Sequence, residues 1–160
     1  MTSTNFNTNN TVNINKNTNT NEEIPKSIYQ TWHTTKIPIG MYYSILNLQK
    51  NNPEFKYYLF NDNDCREFIK KHYDNNVVDA FDKLIPGAYK ADLWRYCILY
   101  KLGGIYIDVK YTSSKHQKLI HLIDKEHFVM DCDKKGIYNA FMICKPGNKL
   151  LLDCINQIVI

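Results

Sequence analysis

The sequence predicts an α/β domain with a largely parallel central sheet flanked by helices. Three observations predict it. Strand-like and helix-like segments alternate along most of the chain. Tyr89 to Leu102 contains no Gly or Pro and is followed by Gly103-Gly104, a helix with its stop attached. Ile105 to Val109 then alternates as a strand, so the helix feeds directly into the sheet. A chain of 160 residues, 44% apolar, fits one domain with a real core and leaves no room for two full-sized ones.

The elements follow in order. Residues 1–22 are almost all Asn and Thr, with Phe6, Val12 and Ile14 as apolar exceptions. Such a segment buries too little surface to offset the entropy of ordering, so it reads as a disordered leader ahead of a domain spanning residues 23–160. Ile28-Tyr29-Gln30-Thr31-Trp32 reads as the first strand, and a loop with Pro38 and Gly40 follows. Met41 to Lys50 places Tyr42, Ile45, Leu46 and Leu48 at helical spacing, stopped before Pro53. Phe55 to Phe60 is a second strand. Asn61 to Asp64 offer N-caps for a helix reaching about Tyr73. A short helix runs from Val77 to Leu84 and ends at Pro86-Gly87. After the helix and strand already described, Lys118 to Asp124 reads as helical, Phe128 to Asp131 and Asn139 to Cys144 as strands, and Leu150 to Ile160 as a last helix.

The gross composition excludes several classes. Net charge is +4 with a pI near 8.7, and the densest basic clusters are the pairs Lys70-Lys71 and Lys134-Lys135. That spread argues against nucleic-acid binding, which concentrates Lys and Arg on one face. The five cysteines are scattered with no Cys-x-x-Cys pair, which argues against a common zinc site. Apolar neighbours around Cys97, Cys144 and Cys154 suggest reduced, buried thiols. No run approaches the roughly 20 apolar residues of a membrane span, and no signal-peptide core is present. The expectation is a soluble, cytoplasmic protein.

The chemistry concentrates around the helix and strand that meet at Gly103-Gly104. Asp92 and Arg95 lie three apart and share one helix face. Taken alone, such a pair is usually a surface ion pair worth little. The glycines let the chain reverse tightly and come close to a ligand. Ile105, Ile107 and Val109 then point one way and Tyr106, Asp108 and Lys110 the other. An Asp at the carboxyl end of a buried strand is where open α/β sheets place ligand contacts, although a turn cap is the simpler reading of one Asp alone.

The run Ala91-Asp92-Leu93-Trp94-Arg95-Tyr96, continued by Gly103-Gly104-Ile105-Tyr106-Ile107-Asp108, resembles the signature of the sugar transferases with an Asp-x-Asp motif. That group includes initiating mannosyltransferases, glycosphingolipid sugar transferases and glucosylating toxins. Upstream, Ile24-Pro25-Lys26-Ser27-Ile28-Tyr29-Gln30-Thr31-Trp32 is similar to its opening strand, and Asn52 to Asp62 to its second. Downstream, Asn139 to Gly147 looks like the segment after the motif strand. The ordered matches cover roughly residues 24 to 150 and are more specific than any one piece.

The resemblance implies a GT-A-like fold and transfer of a hexose from a UDP- or GDP-hexose to an unknown glycan, lipid or protein acceptor, with retention of configuration. It also implies site residues. Trp32 would border the donor base. Asp92 would accept sugar hydroxyls, and Arg95 would meet the sugar or the diphosphate. Tyr106 would sit beside the ribose or sugar, and Asp108 near the ribose and a divalent metal, Mn2+ or Mg2+.

The sequence departs from the pattern in places. Lys110 stands where the family has its second Asp, and an ammonium cannot ligate a metal. Lys110 replaces the metal's charge by contacting the diphosphate, or Asp108 holds the metal with residues from elsewhere, or the protein is a degenerate transferase that binds nucleotide or a partner protein. Reduced or absent metal dependence is the favoured expectation. Asp131-Cys132-Asp133 repeats Asp-x-Asp without the preceding glycines and reads as a polar strand end, though it is the first place to seek a substitute ligand. Tyr29 replaces the family's usual His. His33, His72, His116, His121 and His127 show no metal-like pairing. Whole members continue with further helices, so the chain reads as a truncated product, a minimal member or half of something, and its apolar end suggests self-association.

Overall fold

The computed structural model describes residues 3–5, 23–112 and 117–159. Two short strands, β1 (Ser3–Asn5) and β3 (Lys36–Pro38), pair antiparallel beside the main sheet. The main strands are β2 (Ser27–Thr31), β4 (Lys56–Phe60), β5 (Gly104–Ile107), β6 (His127–Met130) and β7 (Ile137–Cys144). The helices are α1 (Ile39–Asn51), α2 (Asp62–His72), α3 (Asn75–Lys83), α4 (Gly87–Leu102) and α5 (Lys149–Ile158), with one 3-10 turn at Leu119–Leu122.

The five-stranded sheet runs β4-β2-β5-β7-β6 and is mixed. β2 pairs in parallel with β4 on one side and β5 on the other. β7 pairs antiparallel with both β5 and β6. The parallel half is the part expected from strand–helix alternation. In the other half only β7 reverses, antiparallel to both β5 and β6, so β6 runs with the parallel strands; the short turn joining β6 to β7 requires that antiparallel pairing. Asp131 N–H donates to the Gly136 carbonyl (2.8 Å) in that turn, and Lys134 takes a positive φ of 58°.

Helices cover both faces. One row crosses all five strands in register, Tyr58, Tyr29, Tyr106, Met142 and Phe128. It packs against the helix side, with Leu93, Trp94, Cys97 and Ile98 of α4, Phe81 of α3 and Leu151 of α5. Ile28, Ile105, Ile107 and Ile143 point to the opposite face, against Leu48 of α1, Phe55 and Leu119. Tyr29, which stands where the family has His, is a core residue. It is buried and stacked on Tyr58 at 5.5 Å, and burial pushes its hydroxyl up to about 12.

Local chemistry sets the helix ends. Asn61 and Asp64 form a capping box on α2: Asp64 N–H donates to Asn61 Oδ1 (3.1 Å) and Asn61 N–H to Asp64 Oδ2 (3.2 Å). Asp62 and Asp64 open α2, and Lys70, Lys71 and His72 close it, matching its dipole. The helix expected from Tyr89 begins two residues earlier, at Gly87. Gly103 ends it with φ 63°, and Gly104 follows at φ 106°.

The glycine pair has a packing reason in the fold. A Cβ on Gly103 would lie 2.7 Å from Pro146, and one on Gly104 would lie 2.8 Å from the Ser27 carbonyl. The glycines bring the amino end of β5 against the chain's own backbone, at the end of the sheet away from Asp108.

Two smaller differences concern the ends of the chain. Ser3–Asn5, placed by composition in the leader, form β1 because β3 offers backbone groups to pair with; residues 1–2 and 6–22 lie outside the described residues. The apolar run from Ile155 is folded inward, with Ile155 buried and Ile158 and Val159 packed against the core. His116 and Ile160 also lie outside the described residues.

Candidate functional site

A cleft of about 570 Å³ opens at the carboxyl ends of β2, β4 and β5. Thr31, Trp32 and His33 line it from the end of β2, Met41 from α1, and Asp62 from the start of α2. Gly87, Ala88, Ala91 and Arg95 of α4 form one wall, and Tyr106, Asp108, Val109 and Lys110 the floor. This is the crevice position where open α/β sheets bind ligands.

Arg95 organises the site. It is 5% exposed, and its guanidinium lies over the Tyr106 ring at 4.4 Å. Its Nε donates to the Ala91 carbonyl (3.1 Å), and its Nη1 to the carbonyl (2.9 Å) and Oδ1 (3.1 Å) of Asn139. Nη2 pairs with Asp92 Oδ1 at 3.2 Å, and Nη1 with Asp108 Oδ1 at 3.4 Å. One arginine therefore ties a helix carboxylate to a strand carboxylate. A buried guanidinium needs such partners, since leaving it unpaired would cost several kcal/mol.

Asn139 completes the cluster. Its Nδ2 donates to Asp92 Oδ1 (3.1 Å) and to the Tyr96 hydroxyl (2.9 Å). Burial raises the Asp92 carboxyl above the usual carboxylate range; Arg95 and Asn139 pull against that rise, and Asp108 adds to it. Asp108 leaves the strand ladder one residue past β5. Its N–H donates to the Ala140 carbonyl (3.0 Å), its Oδ1 accepts from the Tyr106 hydroxyl (2.9 Å), and Lys110 Nζ stands 3.6 Å from its Oδ2.

The six residues singled out in the sequence take different positions. Trp32, Arg95, Tyr106, Asp108 and Lys110 all line the cleft. Trp32 is fixed by Nε1 donating to the Lys36 carbonyl (3.1 Å) and packs on His33 at 4.7 Å. Asp92 does not line the cleft but adjoins Ala91, which does, and its side chain is 34% exposed. Tyr106 is only 1% exposed, so it offers a ligand little surface and instead supports Asp108 and Arg95.

Sequence reasoning missed Asn139 and Asp62. Asn139 carried no signal, because its partners lie more than forty residues away. Asp62 was legible as a helix opener; burial raises its carboxyl, with Lys90 and His33 opposing. Asp131 and Asp133 occupy the β6–β7 turn, two strands from β5, where Asp131 Oδ1 accepts from Cys132 N–H (2.6 Å) and Asp133 Oδ1 from Lys135 N–H (3.0 Å).

The residues present do not fit a divalent cation. Each Asp108 oxygen already faces a cationic side chain, Arg95 or Lys110. Among the described residues no three His, Cys, Asp or Glu side chains gather as a ligand set. No helix among them is long and apolar enough to cross a membrane.

Comparison with known proteins bears on this arrangement. The family described as "Glycosyltransferase sugar-binding region containing DXD motif" matches residues 38–129. The chain is 33% identical over 138 residues to "Inositol phosphoceramide mannosyltransferase 3" of Schizosaccharomyces pombe, covering 84% of this chain and 37% of that protein. It is 31% identical over 97 residues to "Initiation-specific alpha-1,6-mannosyltransferase" of Candida albicans, covering 57% of this chain and 25% of that one. The chain thus spans well under half the length of these relatives. Among solved structures, "PaToxG Glycosyltransferase" superposes with a TM-score of 0.62 at 14% identity, covering 86% of this chain and 60% of that one. That likeness shows a shared fold, a mixed sheet flanked by helices in a GT-A-like arrangement.

Proposed function

This chain belongs to the glycosyltransferase family whose sugar-binding region contains a DXD motif, and from that premise we propose that its cleft binds a nucleotide-sugar donor and transfers the hexose to an acceptor with retention of configuration. The observation that carries the reading is the Arg95 clamp, which holds Asp92 and Asp108 together beside a cleft at the carboxyl ends of parallel strands. Two carboxylates fixed against one guanidinium suit a polyhydroxylated ligand, because each can accept paired hydroxyl protons without reorganising.

The roles follow from position. Trp32 and His33, their ring planes tilted by 46°, present an aromatic edge for the nucleobase. Asp92 and Asp108 accept hydroxyls of the sugar and the ribose. Arg95, held by its protein partners, sets the spacing of the two carboxylates and lends them its charge. The hexose to try first is mannose, because the two relatives named above are both described as mannosyltransferases. The acceptor, whether glycan, lipid or protein, depends on surfaces beyond this cleft.

The test is incubation of the chain with a panel of UDP- and GDP-hexoses, following donor hydrolysis and transfer to simple glycosides. The reading predicts turnover or saturable binding with at least one donor, abolished by Asp92→Ala. Absence of turnover and of calorimetric binding across the panel overturns it, and intact donor binding in Asp92→Ala overturns the site assignment.

A further inference from the structure

We propose that Lys110 is a built-in counter-ion for the donor's diphosphate, so that this chain binds nucleoside diphosphates without a divalent cation. The inference rests on the donor-site reading and adds to it a residue and a metal independence of its own.

Charge balance is the first argument. A family member with Asp at this position and a bound divalent cation carries −1 and +2 there, a sum of +1. Lys110 alone carries +1. The substitution therefore delivers in one side chain the net charge that a carboxylate and a metal deliver together.

Geometry is the second. Lys110 lines the cleft, its side chain is 55% exposed, and its Nζ lies 3.6 Å from Asp108 Oδ2 and 5.1 Å over the Tyr111 ring. It is held near the floor yet is free to turn toward a ligand. Arg95, at 6% side-chain exposure, has no such freedom. A divalent ion on Asp108 would sit about 2.0–2.6 Å from a carboxylate oxygen and share that carboxylate with an ammonium and a guanidinium. Like-charge repulsion then works against the ion and not against an anionic phosphate. Asp62, the other carboxylate of the cleft, has Lys90 and His33 as its own compensating neighbours.

The experiment is calorimetric titration of the full chain with UDP and with GDP, in EDTA and then in excess Mn2+, for wild type, Lys110→Gln and Lys110→Asp. Far-ultraviolet circular dichroism confirms that each variant folds, as expected for an exposed position. The proposal predicts wild-type binding in EDTA that Mn2+ does not strengthen. It predicts a loss of roughly tenfold or more in Lys110→Gln, the size of one charge-assisted hydrogen bond. In Lys110→Asp, binding should be lost in EDTA and restored by Mn2+, with the bound ion seen by electron paramagnetic resonance. Wild-type binding that requires Mn2+, or Lys110→Gln binding as tightly as wild type in EDTA, overturns the proposal and leaves the donor site standing. Failure of both nucleotides to bind wild type in either condition overturns the donor-site reading as well.

Discussion

Two arginines in this molecule pair with aspartates, and the pair with the better geometry matters less. Arg66 meets Asp82 side-on, with Nε at 2.9 Å from Oδ1 and Nη2 at 2.8 Å from Oδ2, on the surface between α2 and α3. Arg95 makes longer contacts, 3.2 Å to Asp92 and 3.4 Å to Asp108, but it is buried and shared. The Arg66 pair stands in water, with side chains 38% and 42% exposed, where solvent already satisfies both partners. The Arg95 contacts replace solvent that cannot reach its guanidinium, whose side chain is 6% exposed. The two aspartates respond in opposite directions. The hydrogen bond from Arg66 lowers Asp82 below the usual carboxylate range, whereas burial raises Asp92 despite Arg95. Distance alone ranks these pairs wrongly; burial and the number of groups sharing one cation rank them correctly.

The sharpest way to break this contrast is Arg95→Ala. It removes the cation that Asp92 and Asp108 share, leaving them Asn139 and Lys110, and chemical denaturation should show a loss on the order of 3 kcal/mol, the lower end of what removing one partner from a buried ionic group costs. Asn139→Ala should cost less, about 1–3 kcal/mol in the same assay, by depriving Asp92 and Tyr96 of a shared donor.

A carbon-13 titration of the aspartate side chains tests the opposite shifts. Asp82 should titrate below an ordinary aspartate and Asp92 above it. The signs have consequences for stability. Asp82 contributes stability that is present above the ordinary aspartate value and lost as pH falls through its lowered one. For Asp92 the folded state holds the proton longer, so its contribution declines as pH rises from the ordinary value through the raised one. Coincident midpoints would dissolve the distinction. The smallest effect belongs to Arg66→Ala, which should shift the denaturation midpoint less than either of the other two substitutions.

Much of the fold was legible because its punctuation is local. Asn61 and Asp64 mark α2 by capping chemistry, and Gly103 marks the end of α4 by a backbone angle that other residues avoid. The mixed sheet was not legible, because the reversal of β7 follows from a turn whose residues, Asp131 to Gly136, look like any polar loop. The site was half legible. Asp92, Arg95 and Asp108 stand in one contiguous stretch, so their types and spacing point to each other. Asn139 reaches them only through the pairing of β7 with β5, a long-range fact without a local signature. Tyr106 lines the cleft and is a core residue at once, for a related reason. Alternation places it opposite Ile105, but both faces of this sheet are covered, so the opposite face is core as well.

The central claim is that the cleft beside the Arg95 clamp is a nucleotide-sugar donor site. Its most direct test is amide chemical-shift mapping by nitrogen-15 NMR during titration with UDP- and GDP-hexoses. The account predicts saturable shifts at Trp32, Ala88, Asp108 and Lys110 with at least one donor, while Arg66 and Asp82 stay still. Saturable shifts confined to residues outside the cleft, or none with any donor, would contradict it.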